Sequence, residues 1–315
     1  MSFPISVATA SLQGIHSEPV SVETDICSGL SLFTLVGLAD ASVQEARERI
    51  RSAIRQSGFA FPKTRITVNL APADQKKSGS SFDLPIATAI LLAQGLIPAA
   101  TTNNALFAGE LGLDGRVRGI RGALSIAIKK KTSGYATIFL PAENAREASC
   151  IPGISVVGVP SLQALVQHLK GETTLPTAHF EPVPQQASET EGFAEVRGHA
   201  QAKRALEIAA AGGHNVLLYG PPGSGKTLLA RSFASILPDL EETAAIEATL
   251  IHSVAGQLPA SRLLRRPPFR APHHTASLAA LVGGGSPPKP GEISLAHHGV
   301  LFLDELPEYP RALLE

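Results

Sequence analysis

An excess of either charge is missing from this sequence: 27 Lys and Arg stand against 27 Asp and Glu over 315 residues. A balanced chain carries no overall field that would draw in nucleic acid or an anionic membrane, so any such contact must be built locally. Cysteine is scarce as well. Cys27 and Cys150 lie far apart, which argues against a disulfide framework or a thiolate metal site and for a reducing compartment. The chain does not start with a basic-then-apolar leader. Apolar runs such as Leu84 to Ala93 stop short of the ~18 residues that a membrane span needs. A soluble, cytoplasmic protein without a membrane partner is expected. No repeat of solenoid period is visible.

At about 150 residues per domain the length suggests two domains. Ile5 to Leu12, Pro19 to Ile26 and Leu30 to Leu35 are β-branched apolar stretches separated by Gly14 and Gly29, and read as three strands. From Asp40 the period changes. Val43, Ala46, Ile50, Ala53 and Ile54 share one face of an amphipathic helix, with Glu45, Arg47, Glu48, Arg49 and Arg51 on the solvated side. Further on, strands are expected at Arg65 to Leu70, Leu106 to Gly109 and Thr137 to Leu140, with helices at Phe82 to Gln94 and Gly122 to Lys131. This alternation implies an α/β domain over 1–170. Residues 171–192 mix Pro176, Pro182 and Pro184 with polar residues in no apolar period, and read as a linker. In the second domain, 193–315, Ala200 to Gly212 reads as a helix, Asn215 to Tyr219 as a short buried strand and Lys226 to Leu237 as a helix.

That strand and that helix flank Gly220-Pro221-Pro222-Gly223-Ser224-Gly225-Lys226-Thr227, which has the spacing of a phosphate loop in the context that gives the spacing meaning. Glycines let backbone N–H groups turn inward as an anion cradle, and the helix that starts there points its positive end at the same phosphates. Lys226 supplies a mobile charge for the β- and γ-phosphates of ATP, and the Thr227 hydroxyl suits Mg²⁺. A Gly/Pro-rich turn with a chance lysine is the plain alternative. Downstream, Gly299-Val300-Leu301-Phe302-Leu303-Asp304-Glu305 reads as a buried apolar strand that delivers Asp304 to hold the metal. Glu305 then becomes the candidate base that orients and deprotonates the attacking water. An acidic pair at a strand end can also be an ordinary helix cap.

Together these motifs resemble the AAA+ ATPase superfamily. The stretches Phe193 to His199 and Ala202 to Asn215 look like the entry to a magnesium-chelatase-type module; Arg266 to Thr275, Val282 to Gly285 and Pro290 to Gly299 look like the insertion before its acidic strand. With the N-terminal segment added, the chain resembles the ComM/YifB family of bacterial proteins over nearly its whole length. The resemblance implies a Lon-protease-like α+β domain followed by an incomplete P-loop AAA+ α/β domain. It implies ATP and Mg²⁺ as cofactors, a homo-hexamer, and single-stranded or branched DNA as partner, in the manner of branch migration during natural transformation. A chelatase-type or chaperone-like ring that remodels a protein is the rival. AAA+ modules continue through sensor residues, an arginine finger and a lid, whereas this chain ends at Glu315, so weak nucleotide binding and poor turnover are expected of it.

Lon-type chemistry uses a Ser nucleophile and a Lys base. Lys77-Ser78-Gly79-Ser80-Ser81-Phe82-Asp83 is similar to the nucleophile loop, with Ser81 in the serine's place, and Phe107 to Val117 is similar to the segment that leads to the lysine. The lysine's own position falls on Leu124, and Lys129, Lys130 and Lys131 come too late in the helix, so a non-proteolytic scaffold for assembly or DNA is expected. His273, His274, His297 and His298 raise a metal site. Cysteine is absent nearby, adjacent side chains on a strand diverge, and the family offers no metal there, so loop histidines at a substrate or subunit contact are favoured. Arg262, Arg265, Arg266 and Arg270 form a local basic cluster suited to a phosphate backbone, or equally to a solvated loop or subunit contact.

Overall fold

The computed structural model describes residues 5–38, 40–75, 77–180, 192–258, 263–285 and 288–314. They form two compact units, one of residues up to 180 and one of residues from 192 on.

The first unit runs β1 (Ile5–Gln13), β2 (His16–Cys27), β3 (Leu32–Val36), α1 (Ala41–Gln56), β4 (Arg65–Ala71), α2 (Asp83–Ala93), β5 (Ala105–Phe107), β6 (Glu110–Leu111), β7 (Val117–Arg118), α3 (Ala123–Ser133), β8 (Thr137–Pro141), α4 (Ala142–Ala148), β9 (Ser155–Val159) and α5 (Leu162–Leu169). Seven strands make one mixed sheet in the order β3-β4-β2-β1-β5-β8-β9. β2 pairs antiparallel with β1 on one edge and β4 on the other, while β5, β8 and β9 follow β1 in parallel as βαβ crossovers dictate.

Strand alternation sorts the side chains. Val7, Val22, Ile66, Val68, Leu70 and Phe107 point to one face and join a core with α1, α2 and α5. The opposite face takes α3 and α4: Gly122 at the head of α3 lies over Leu12, and Gly158 of β9 over Ala142 and Ala145. The first unit is therefore a sheet covered on both sides. In α1 the five residues that share the apolar face are all fully buried, and the Asp40 side chain caps the helix by accepting from Val43 N at 3.0 Å. α2 has no polar face, because it lies against β1 and β2 on one side and α1 on another.

The sequence reading stops at β8, and α4, β9 and α5 extend the unit. Part of the expected linker also belongs here. Leu175 joins the core periphery, and Ala178 N donates to Val156 O at 2.7 Å. Residues 181–191 of that expected linker fall outside the described residues.

The second unit contains α6 (Ala200–Gly212), α7 (Lys226–Phe233), α8 (Glu242–Ala255), β10 (Phe269–Arg270), α9 (Leu278–Val282), β11 (Gly283–Gly284), β12 (Lys289–Pro290), α10 (Glu292–Leu295), β13 (Val300–Leu301) and α11 (Arg311–Leu314). Its described strands form two short pairs, β10 with β13 in parallel and β11 with β12 antiparallel. Two expectations need correction. Asn215 to Tyr219 is neither a strand nor buried: Leu217 is 80% and Tyr219 99% exposed. Its apolar pattern suits a strand core, but a strand exists only with a neighbour to complete its ladder, and the described residues place none beside it. The acidic strand is shorter and less buried than expected. β13 has two half-buried residues, extended by the Phe302 N–H that donates to Arg270 O at 2.8 Å.

No helix among the described residues is long and apolar enough to cross a membrane.

Candidate nucleotide site

The loop before α7 turns through two glycines in the left-handed region, Gly223 at φ 75° and Gly225 at φ 77°, the latter capping the helix. A side chain at either position would be strained, which explains glycine there without appeal to any ligand. Lys226 opens α7 and folds its ammonium back over the loop, donating to Gly220 O and Pro221 O at 2.9 Å each. The Lys226 ammonium thus sits against the loop at the positive end of the α7 dipole.

The decisive contact spans 77 residues of sequence. Thr227 Oγ1 donates to Asp304 Oδ2 at 3.0 Å, so the first turn of α7 and the end of β13 meet side chain to side chain. Asp304 Oδ1 accepts from Glu305 N at 3.1 Å, which fixes the carboxylate's rotation. A hydroxyl and a carboxylate in contact are an all-oxygen donor pair, the chemistry a small hard cation such as Mg²⁺ takes, so these residues fit the ion expected of them. Glu305 departs from β-geometry. It adopts φ 53°, uncommon for a non-glycine residue, and its carboxylate points to His274, with Oε2 3.5 Å from Nδ1. His274 in turn stands edge-on to Tyr309, whose hydroxyl donates to Pro272 O at 2.6 Å. Burial and the nearby Asp304 raise the Tyr309 pKa.

Of the residues expected from sequence, Lys226 and Thr227 of the loop lie on the segment that meets the one carrying Asp304 and Glu305, through the Thr227–Asp304 contact. Sequence reasoning misses two neighbours. His199, left-handed at the head of α6, lies with Nε2 3.5 Å from where a Cβ on Gly225 would be. Tyr309 carries no motif at all; only its spacing from Glu305 could have drawn notice.

The basic cluster divides. Arg270 is bidentate to Glu292 at 2.6 Å through both nitrogens, which raises its pKa and commits it to holding β10 against α10. Arg265 and Arg266 are exposed, and Arg262 lies outside the described residues. The histidines also differ from expectation. They occupy turns, not strands, and the rings lie against one another at a tilt in neighbouring pairs, 4.1 Å between centroids for His273 and His274 and 4.0 Å for His297 and His298. The argument that adjacent side chains diverge therefore fails at both sites.

In the first unit Ser81 O accepts from Gly109 N at 2.9 Å, while the Ser80 hydroxyl donates to Glu110. Leu124 is fully buried in α3. Lys129 reaches Glu18 at 3.1 Å, and Lys130 is buried, which lowers its pKa. Behind the loop, Asp83 is fully buried, bidentate to Arg49 and hydrogen-bonded by Leu111 N; burial outweighs these partners and lifts its pKa to about 6.

Two family patterns match: one described as magnesium chelatase, subunit ChlI, over residues 192–315, and one described as subunit ChlI of Mg-chelatase, over residues 22–144. The chain is 45% identical to YifB of Escherichia coli over 309 residues, 98% of this chain and 61% of that protein. It is 43% identical to the competence protein ComM of Haemophilus influenzae over 320 residues, 100% of this chain and 62% of that one. The chain belongs to the ComM/YifB family. Its first part is also similar to the Lon protease of Heliobacterium modesticaldum, at 30% identity over 151 residues, 47% of this chain and 18% of that protein. Family membership accounts for the architecture, a Lon-protease-like domain followed by a magnesium-chelatase-like AAA+ module. The chain spans 61% to 62% of the length of the ComM and YifB relatives it matches.

Proposed function

We propose that the protein is an ATP-driven AAA+ ring motor that acts on DNA. ATP occupies residues 220–227, Mg²⁺ sits on Thr227 and Asp304, and Glu305 serves as the base. The observation that carries this reading is the Thr227–Asp304 contact, since two motifs far apart in sequence meet at the two atoms that would share one cation. Bound Mg²⁺ would neutralise charge developing on the phosphates. Lys226 leaves its two carbonyls for phosphate oxygens, and Glu305 turns from His274 toward a water. The direction of this change is set by charge, because the phosphates offer Lys226 a stronger acceptor than neutral carbonyls do.

DNA as the substrate draws support from the ComM relative, whose name is that of a competence protein, and from the exposed Arg265 and Arg266. The same proposal takes in assembly as a cytoplasmic homo-hexamer and action on single-stranded or branched DNA in recombination of incoming DNA. The first unit is then a scaffold and not a protease, supported by Leu124 at the lysine position and by the engagement of Lys129 with Glu18. A protein-remodelling ring is the second reading, favoured by the match to a magnesium-chelatase subunit.

ATP hydrolysis by the full-length protein, measured with and without single-stranded or forked DNA over a salt series, separates the two. The DNA reading expects stimulation that fades as salt rises. Absence of both stimulation and salt-dependent DNA binding selects the remodelling reading.

A further inference from the structure

We propose a second cation site in the AAA+ module, separate from the nucleotide's magnesium, in which Glu247, His297 and His298 bind a divalent transition metal such as Zn²⁺. Glu247 projects from the exposed face of α8, a fourteen-residue helix. The two histidines sit in the turn between α10 and β13. Glu247 Oε2 lies 2.6 Å from His298 Nε2 and 3.6 Å from His297 Nε2, and one ligand atom from each residue falls within 4.8 Å of the others.

These separations are informative. Tetrahedral Zn²⁺ with bonds of about 2.0–2.1 Å needs its ligand atoms about 3.3 Å apart, so the two carboxylate–imidazole distances bracket the required one and side-chain shifts on the order of 1 Å close the site. Two imidazoles and one carboxylate form a borderline donor set, which selects Zn²⁺, Co²⁺, Ni²⁺ or Cu²⁺ over Mg²⁺ and Ca²⁺. Three protein ligands on the surface leave a coordination position for water.

The backbone is arranged to bring the rings together. His298 adopts φ 57°, a left-handed conformation that a non-glycine residue takes at a cost of order 1 kcal/mol. The turn is held by His297 N to Ser294 O at 3.1 Å and Gly299 N to Ala296 O at 2.8 Å. Gly299 has no room for a side chain, since a Cβ there would lie 2.0 Å from Pro268 O. Through this geometry two adjacent residues present both Nε2 atoms to one carboxylate, an arrangement that an extended strand could not give. A bound ion would tie α8 to the turn that leads into β13, and so to Asp304. Its place in the molecule is that of a brace on the strand that carries the magnesium ligand.

Isothermal titration of the chain with Zn²⁺ in a non-coordinating buffer tests the site, with Mg²⁺ titrated in parallel and the Co²⁺ absorption spectrum as a report on ligand set. One Zn²⁺ per chain is expected, with Mg²⁺ silent and intense tetrahedral Co²⁺ bands. Glu247→Gln, His297→Ala and His298→Ala should each weaken Zn²⁺ binding by about tenfold or more. Paired His273→Ala and His274→Ala should leave it unchanged. All three ligand side chains are solvent-exposed, and circular dichroism without metal, unchanged in the variants, separates lost ligation from lost folding. No stoichiometric Zn²⁺, or Zn²⁺ that survives the three ligand changes, or Zn²⁺ lost with His273 and His274 instead, each overturns the proposal.

Discussion

Asp83 shows how a single buried group sets a pH dependence. Its carboxylate is held by Arg49 and by Leu111 N, yet burial raises its pKa from 3.8 to about 6. The folded first unit therefore retains a proton that the unfolded chain has already released. The stability linked to Asp83 is fully present below about pH 4 and is lost as pH rises through about 6. A shift of about two units corresponds to an order of 3 kcal/mol. Asp83→Asn should remove that segment of the pH profile, as measured by urea unfolding at pH 4, 5, 6 and 7. Arg49→Ala should cost about 3–5 kcal/mol at pH 7, where it leaves a buried charge, and less at pH 5, where the carboxyl takes up a proton. An equal cost at both values would mean that Asp83 is ionised throughout. Gly299 makes the other residue-scale case. Gly299→Ala forces apart β13 and the backbone of Pro268, so the melting temperature of the second unit should fall and nucleotide affinity with it.

At the scale of elements, local information and pairing information part company. The helices α6 over Ala200–Gly212 and α1 over Ala41–Gln56 were legible because their apolar period lies within the segment itself. Asn215 to Tyr219 was misread for the converse reason, since its apolar residues say nothing of whether a neighbouring strand is there. Amides of Val216 to Tyr219 should exchange with solvent at least about a hundredfold faster than those of β2, which is paired on both edges. Comparable protection would show a ladder that these residues do make. The turn at residues 220–227 could be singled out because glycine spacing ahead of a helix is a local pattern, and Asp304 because an acidic residue after an apolar run is another; that the two hold a nucleotide and its cation is the proposal. Glu305's contact with His274 was not legible, nor was the meeting of Glu247 with His297 and His298, because those contacts are made by the tertiary fold between separate segments.

For the whole molecule, a net charge of zero means that DNA is gripped by a few local cations if it is gripped at all. Arg270 is held by Glu292, which leaves Arg265 and Arg266 as the exposed described members of the cluster. Replacement of both by Ala should lower the slope of log affinity against log salt by about 1.4 for single-stranded DNA, at about 0.7 for each phosphate contact. An unchanged slope would put the DNA surface elsewhere. Turnover separates the roles at the site: Glu305→Gln should keep nucleotide and lose hydrolysis by about 10²-fold or more, whereas full turnover would remove Glu305 from the role of base.

The central claim is that residues 220–227 and Asp304 form one site for a nucleotide and its cation. Binding of a fluorescent ATP analogue, carried to millimolar concentration with and without Mg²⁺, tests it in the wild type, Lys226→Ala and Asp304→Asn. The account predicts Mg²⁺-dependent binding, its loss in Lys226→Ala, and binding in Asp304→Asn that no longer responds to Mg²⁺. Binding that Lys226→Ala leaves intact, or a Mg²⁺ response that survives Asp304→Asn, would contradict it.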